Sequence, residues 1–199
     1  MAGMTRLQTM VMAILAALSP CGAFACTVAN LNQAGGDRSA SPDGRWVAYA
    51  ARPGPSDDDR AVLMLRRRKG PGHPIRLRHI IRDGEVAWTP DSRSLIYIDT
   101  QDEDYGVEVF DMSSNGVRRT KRYDDLITNR VARTLGPKRE ITHYDLDIAA
   151  CRAGGFSLKS DVRSNLKNVE GAPDIEWGGR FTIDLRNKTV HGSIHRTDD

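Results

Sequence analysis

The chain has 199 residues, of which 39% are apolar and 28% charged, with 18 glycines, 9 prolines and a formal charge of +3. This balance is ordinary for a globular protein and excludes wholesale disorder, and the glycines and prolines exclude a long coiled coil. So small a positive surplus is not the electrostatic footprint of a nucleic-acid binder.

Residues 1–25 have the layout of a secretory signal peptide. Arg6 supplies the positive start, Met10 to Leu18 the apolar centre, and Ala23-Phe24-Ala25 the small-x-small site before Cys26. The apolar stretch is shorter than the roughly 20 residues that cross a bilayer, and Pro20 and Gly22 break it. No transmembrane segment is expected in the mature chain, which is placed in the periplasm or outside the cell. Cys21 leaves with the leader, so Cys26 and Cys151 remain, an even number for an oxidising compartment. A disulfide between them is the economical reading. The alternative is a lipid anchor on Cys26, for which Ala23 and bulky Phe24 are poorly suited.

The middle of the chain repeats itself. Ser41-Pro42-Asp43-Gly44-Arg45-Trp46-Val47-Ala48-Tyr49-Ala50 returns after 48 residues as Thr89-Pro90-Asp91-Ser92-Arg93-Ser94-Leu95-Ile96-Tyr97-Ile98. In each copy proline presets the turn, aspartate closes it, and an apolar strand follows. Further strands are expected at Ala61–Leu65, Pro74–Ile80, Glu85–Trp88 and Tyr105–Met112. These segments resemble the WD40-like, TolB-type β-propeller repeat over residues 40–113, where Ser-Pro-Asp-Gly commonly precedes an apolar strand. The second copy departs from that pattern at Thr89 and Ser92. The resemblance implies blade-like antiparallel sheets whose loops face a protein partner. Beyond Ala25 there is room for only about three and a half units of this length, too few for an ordinary six-bladed ring. A partial or degenerate propeller is therefore expected.

Ile127, Val131 and Leu135 recur at helical spacing after Asp124-Asp125 and before Gly136-Pro137, which predicts one helix over 124–135. Its expected role is to pack over a sheet edge or face. Tyr144, Leu146 and Ile148 then alternate, as Phe156 and Leu158 do weakly, while Asn165 to Pro173 reads as loop. Phe181–Leu185 and Val190–Ile194 read as a terminal hairpin. The whole is read as a leader (1–25) followed by a single mainly β domain (26–199). The expected core is Trp46, Val47, Tyr49, Val62, Leu63, Leu65, Trp88, Leu95, Ile96, Ile98, Val107, Val109, Phe110, Trp177, Phe181 and Ile183.

Candidate chemistry is sparse. His191 and His195 are four apart, but on a strand that spacing is too wide for one ion, so a solvent-facing strand is preferred. Asp57-Asp58-Asp59, and Asp99 with Asp102, Glu103 and Asp104, lack EF-hand spacing and read as solvated loops. Ser164-x-x-Lys167 formally matches a penicillin-recognising motif but sits in an expected polar loop. No metal site, cofactor motif or catalytic residue is assigned. The strongest charge feature is Arg66-Arg67-Arg68-Lys69, followed by Arg76, Arg78, His79 and Arg82, a candidate partner-binding run whose competing reading is a solvated strand end and loop. The function expected is that of a non-enzymatic exported interaction or scaffold module. Its partner would be another protein, an envelope component or a second copy, and not nucleic acid. A small hydrolase or ligand-binding protein with an unrecognised site is the alternative.

Overall fold

The computed structural model describes residues 26–32, 36–52, 61–80, 83–99, 106–113, 116–119 and 123–197. The leader, Asp57–Asp59 and Asp102–Asp104 lie outside the described residues. The described strands form three antiparallel sheets, accompanied by a single helix.

The first sheet is a meander of β2 (Arg38–Ala40), β3 (Trp46–Ala51), β4 (Val62–Arg67) and β5 (Ile75–His79). The second runs β6 (Asp83–Trp88), β7 (Ser94–Asp99), β8 (Gly106–Ser113) and β9 (Gly116–Arg119), with β1 (Ala29–Asn32) added along β6. The third is a long meander of β10 (Arg139–Arg152), β11 (Gly155–Leu166), β12 (Ile175–Asp184) and β13 (Thr189–Arg196). The helix α1 spans Asp124–Leu135, the predicted bounds.

The repeated motif folds twice into the same turn. In the first copy the Ser41 hydroxyl accepts from the Trp46 N–H (3.0 Å) and donates to the Asp43 carboxylate (2.7 Å), which accepts from the Arg45 N–H (2.9 Å). In the second, Thr89 accepts from the Ser94 N–H (3.0 Å) and donates to Asp91 (2.7 Å), which accepts from the Arg93 N–H (3.2 Å). Each turn also needs one residue in the left-handed region, Gly44 at φ 68° and Ser92 at φ 58°. Threonine serves as well as serine because both present a hydroxyl at the same place.

The second sheet is the middle layer, so β7 is buried at every residue. One of its faces, with Val86, Trp88, Leu95, Tyr97 and Phe110, meets Trp46, Ala48, Leu63 and Leu65 of the first sheet. The other, with Ala87, Ile96, Ile98, Val107 and Val109, meets α1 and the inner face of the third sheet. Gly84 makes room for this packing, since a Cβ there would lie 2.6 Å from the Tyr97 ring. Continuous apolar runs are what a strand covered on both faces requires.

Cys26 and Cys151 are joined, with Cα atoms 5.1 Å apart, and tie the segment before β1 to β10 in the third sheet. The helix packs Ile127, Val131 and Leu135 between the second and third sheets. It covers faces; the free edge of β6 is taken by β1 instead.

Four expectations need correction. Val47 and Tyr49 are only half-buried and belong to neither core cluster, because their side chains face away from the second sheet. Trp177 is likewise half-buried, at the margin of the core. Ser164 lies in β11 rather than a loop, fully buried, and accepts the Trp177 indole N–H at 2.9 Å. The loop after it begins at Lys167, two residues later than expected.

Candidate functional site

Strand alternation divides the basic run. Arg66 and Arg67 are the last two residues of β4 and point to opposite faces. Arg67 is the cross-strand partner of Trp46 and lies over its indole at 5.1 Å. It belongs to a cleft of about 600 Å³ beside the first turn, lined by Asp43, Arg45, Trp46, Lys69 and Met112 among others. Arg68 and Lys69 follow in the bend after β4, where the Arg68 N–H donates to the Arg45 carbonyl. The four cations therefore do not form one patch.

Arg66 joins a different group. On the outer face of the first sheet, register places Arg38, Tyr49, Met64 and Arg76 in one row across all four strands. The next row is Ala40, Val47 and Arg66. Arg38 and Arg66 approach the Tyr49 ring from two sides, at 5.9 and 6.0 Å from its centroid. Such stacking leaves the guanidinium edges free to donate. Val47, Tyr49 and Met64 are half-buried and the three arginines exposed. Neither core cluster of the described residues includes Val47, Tyr49 or Met64, although Val62, opposite Ala51 at one end of this face, is buried. No described carboxylate pairs with Arg38, Arg66 or Arg76. Sequence reasoning misses Arg38, assigns Tyr49 to the core and has Arg76 only as a follower of the basic run, because the three meet only through register.

The outer face of the third sheet is different in kind. His143, Asp145, Lys159, Asp161, Arg163 and Glu176 alternate in sign and pair locally, as in His143 with Asp145 (2.6 Å) and Lys159 with Asp161 (2.9 Å). It is an ordinary solvated face. His191 and His195 are exposed on β13, opposite Thr182 and Gly178.

Arg78, which faces inward, links the first sheet to the second. Its guanidinium reaches Asp99 at 3.0 Å and Glu108 at 2.8 Å and lies over the Tyr97 ring at 5.1 Å. Glu108 also pairs with Arg119. Burial pushes the Tyr97 hydroxyl far above the usual tyrosine range; Asp99 adds to the shift and Arg78 opposes it. This cluster joins two layers inside the protein and presents no open reaction site.

Among the described residues, no group of three or more His, Cys, Asp or Glu side chains is placed to hold a metal ion. The one imidazole–hydroxyl contact among them, Thr189 with His191 at 3.1 Å, lies on the exposed face of β13. A scan of protein-family models and a search of curated proteins give no match to the chain.

Proposed function

We propose that the protein is an exported, non-enzymatic interaction module, built on two TolB-type blades of an unclosed propeller. The observation that carries this reading is the part of the first sheet's outer face around Val47, Tyr49 and Met64, on which neither core cluster of the described residues packs. In a closed ring each blade is covered on both faces; among the described residues the second sheet shares core clusters on both sides and the first on one. The exposed row combines tyrosine, methionine and arginine, residue types enriched where proteins bind one another. The two turns, 48 residues apart and bonded alike, support the repeat reading. The Cys26–Cys151 bond supports export, since such bonds persist in oxidising compartments. Cleavage after Ala25 would leave Cys26 as the first residue.

The test is affinity capture from an envelope extract with three forms of the protein. The wild type and Thr182→Glu, altered on the third sheet, are expected to retain the same partner, and Tyr49→Glu to lose it. Equal capture by all three would overturn the reading. A chain recovered from the envelope with residues 1–25 still attached would overturn the processing.

A further inference from the structure

We infer that the outer face of the first sheet receives an acidic amphipathic helix of a protein partner, an assignment that rests on the interaction reading above. Three observations lead to it. The first is charge. Arg38, Arg66 and Arg76 stand around Tyr49, and none has a described carboxylate partner, whereas Arg45, Arg78, Arg119 and Arg163 each have one. Guanidiniums held against a ring present their donor edges outward, the geometry that matches a carboxylate fork.

The second observation is the apolar centre. Val47, Tyr49 and Met64 lie between the arginines, on a face that also holds Ala40 and, at one end, Ala51 with the buried Val62. A purely ionic polymer would leave this centre wet; a segment with both apolar and acidic residues fills it and meets the arginines at its rim.

The third is the kind of backbone that fits. A sheet face offers side chains and no unpaired N–H or C=O groups, so its occupant must satisfy its own backbone bonds. A helix does so, as α1 does where it lays Ile127, Val131 and Leu135 over the second and third sheets. Strand spacing sets Arg38 and Arg76 about 14 Å apart at their Cα atoms, a span of roughly two to three helical turns. The expected helix thus carries acids two to three turns apart with an apolar stripe between them. A second copy stacked symmetrically on this face would set the arginines against one another, which disfavours self-association.

The probe is a synthetic helical peptide with a leucine stripe and glutamates about 14 Å apart, titrated into the intact purified protein. Amide shifts in the wild-type protein should localise to β2–β5. Raising salt from about 50 to 500 mM should weaken binding at least about tenfold. Arg38→Glu, Arg66→Glu and Arg76→Glu should each weaken it by about five- to tenfold, with thermal unfolding unchanged. Should a variant fail to fold, the wild-type shift map and salt series decide. Equal binding of the same peptide with glutamine at the acidic positions would overturn the proposal. So would binding to phosphatidylglycerol vesicles without peptide binding, or a salt-insensitive dimer formed through this face. Partner capture lost in Tyr49→Glu, with no peptide binding, would remove the acidic helix and leave the interaction reading standing.

Discussion

The backbone N–H of Asp43 donates to the hydroxyl of Ser92 at 3.0 Å, joining the repeated turn of the first sheet to that of the second. Ser92 occupies the position where the first copy has Gly44, and both residues lie in the left-handed region. A non-glycine residue there costs roughly 1–2 kcal/mol. The inter-sheet hydrogen bond offsets it by a comparable amount, about 1 kcal/mol. The departure from the repeat is thus part of the joint between blades. A second bond reinforces it, the Trp88 indole N–H donating to the Ser39 carbonyl at 3.2 Å.

Ser92→Ala keeps the backbone cost and loses the hydroxyl, so it should destabilise by about 1–2 kcal/mol. Ser92→Gly loses the same bond but relieves the backbone, and should fall within about 0.5 kcal/mol of wild type. Urea unfolding of the three proteins checks the order. A glycine variant as unstable as the alanine one would contradict this account of the turn.

The Arg78 cluster should be costly to break. Asp99 and Glu108 are almost fully buried, and Arg78 is the described cation that reaches both. Arg78→Met should destabilise by about 3–5 kcal/mol, the usual cost of removing one partner from a buried ion pair. Arg78→Lys should recover only part of that, because an ammonium cannot fork between two carboxylates. Full recovery by lysine in chemical denaturation would show that the fork geometry is immaterial.

Reduction should act through the unfolded chain. Cys26 and Cys151 are 125 residues apart, and closing so long a loop stabilises by up to about 4–5 kcal/mol in the chain-entropy model. Cys26→Ala with Cys151→Ala should therefore lower Tm markedly, and reductant should have no further effect on that double variant. A non-reduced digest should contain the two cysteine peptides joined. Free thiols at both positions in protein taken from the envelope would contradict the pairing.

Glu85 links stability to pH. Its carboxylate accepts the Ile148 N–H on the edge strand β10 at 3.2 Å. Burial raises its pKa, the Ile148 bond opposes the rise, and Asp147 adds to it. The folded chain therefore holds this proton to higher pH than the unfolded chain does. The stability contributed is present below the ordinary glutamate value and is lost as pH rises through the folded one. Glu85→Gln keeps an acceptor for Ile148, so its thermal stability should vary less across that window and match or exceed wild type at pH 7. An unchanged pH profile would exclude Glu85 as its source.

Much of the fold is legible in the sequence where a local rule governs it. The two Pro-Asp turns, the helix at Asp124–Leu135, the apolar run of β7 and the alternation of β8 are each specified by neighbours along the chain. The third sheet is harder to read because its inner face carries Ser160, Ser164 and Gly179 among the apolar residues, which interrupts the alternation. Gly179 is needed there, as a Cβ would meet the Ser193 carbonyl oxygen at 2.6 Å. The outer face of the first sheet is beyond local rules. Alternation says that Val47 and Tyr49 share a face, but whether that face is covered depends on which sheets stack. The arginine run misleads for the same reason, since side chains adjacent in sequence part company on a strand while Arg38, Tyr49 and Arg76 converge.

The central claim is that the outer face of the first sheet is where a partner protein sits. Its most direct measurement is photo-cross-linking in cells, with a photoreactive phenylalanine analogue placed at Val47 and, as a control, at Thr182 on the outer face of the third sheet. The account predicts one discrete adduct with a second protein from position 47, absent from position 182 and lost when Arg66→Glu is added. No adduct from position 47, or the same adduct from both positions, would contradict it.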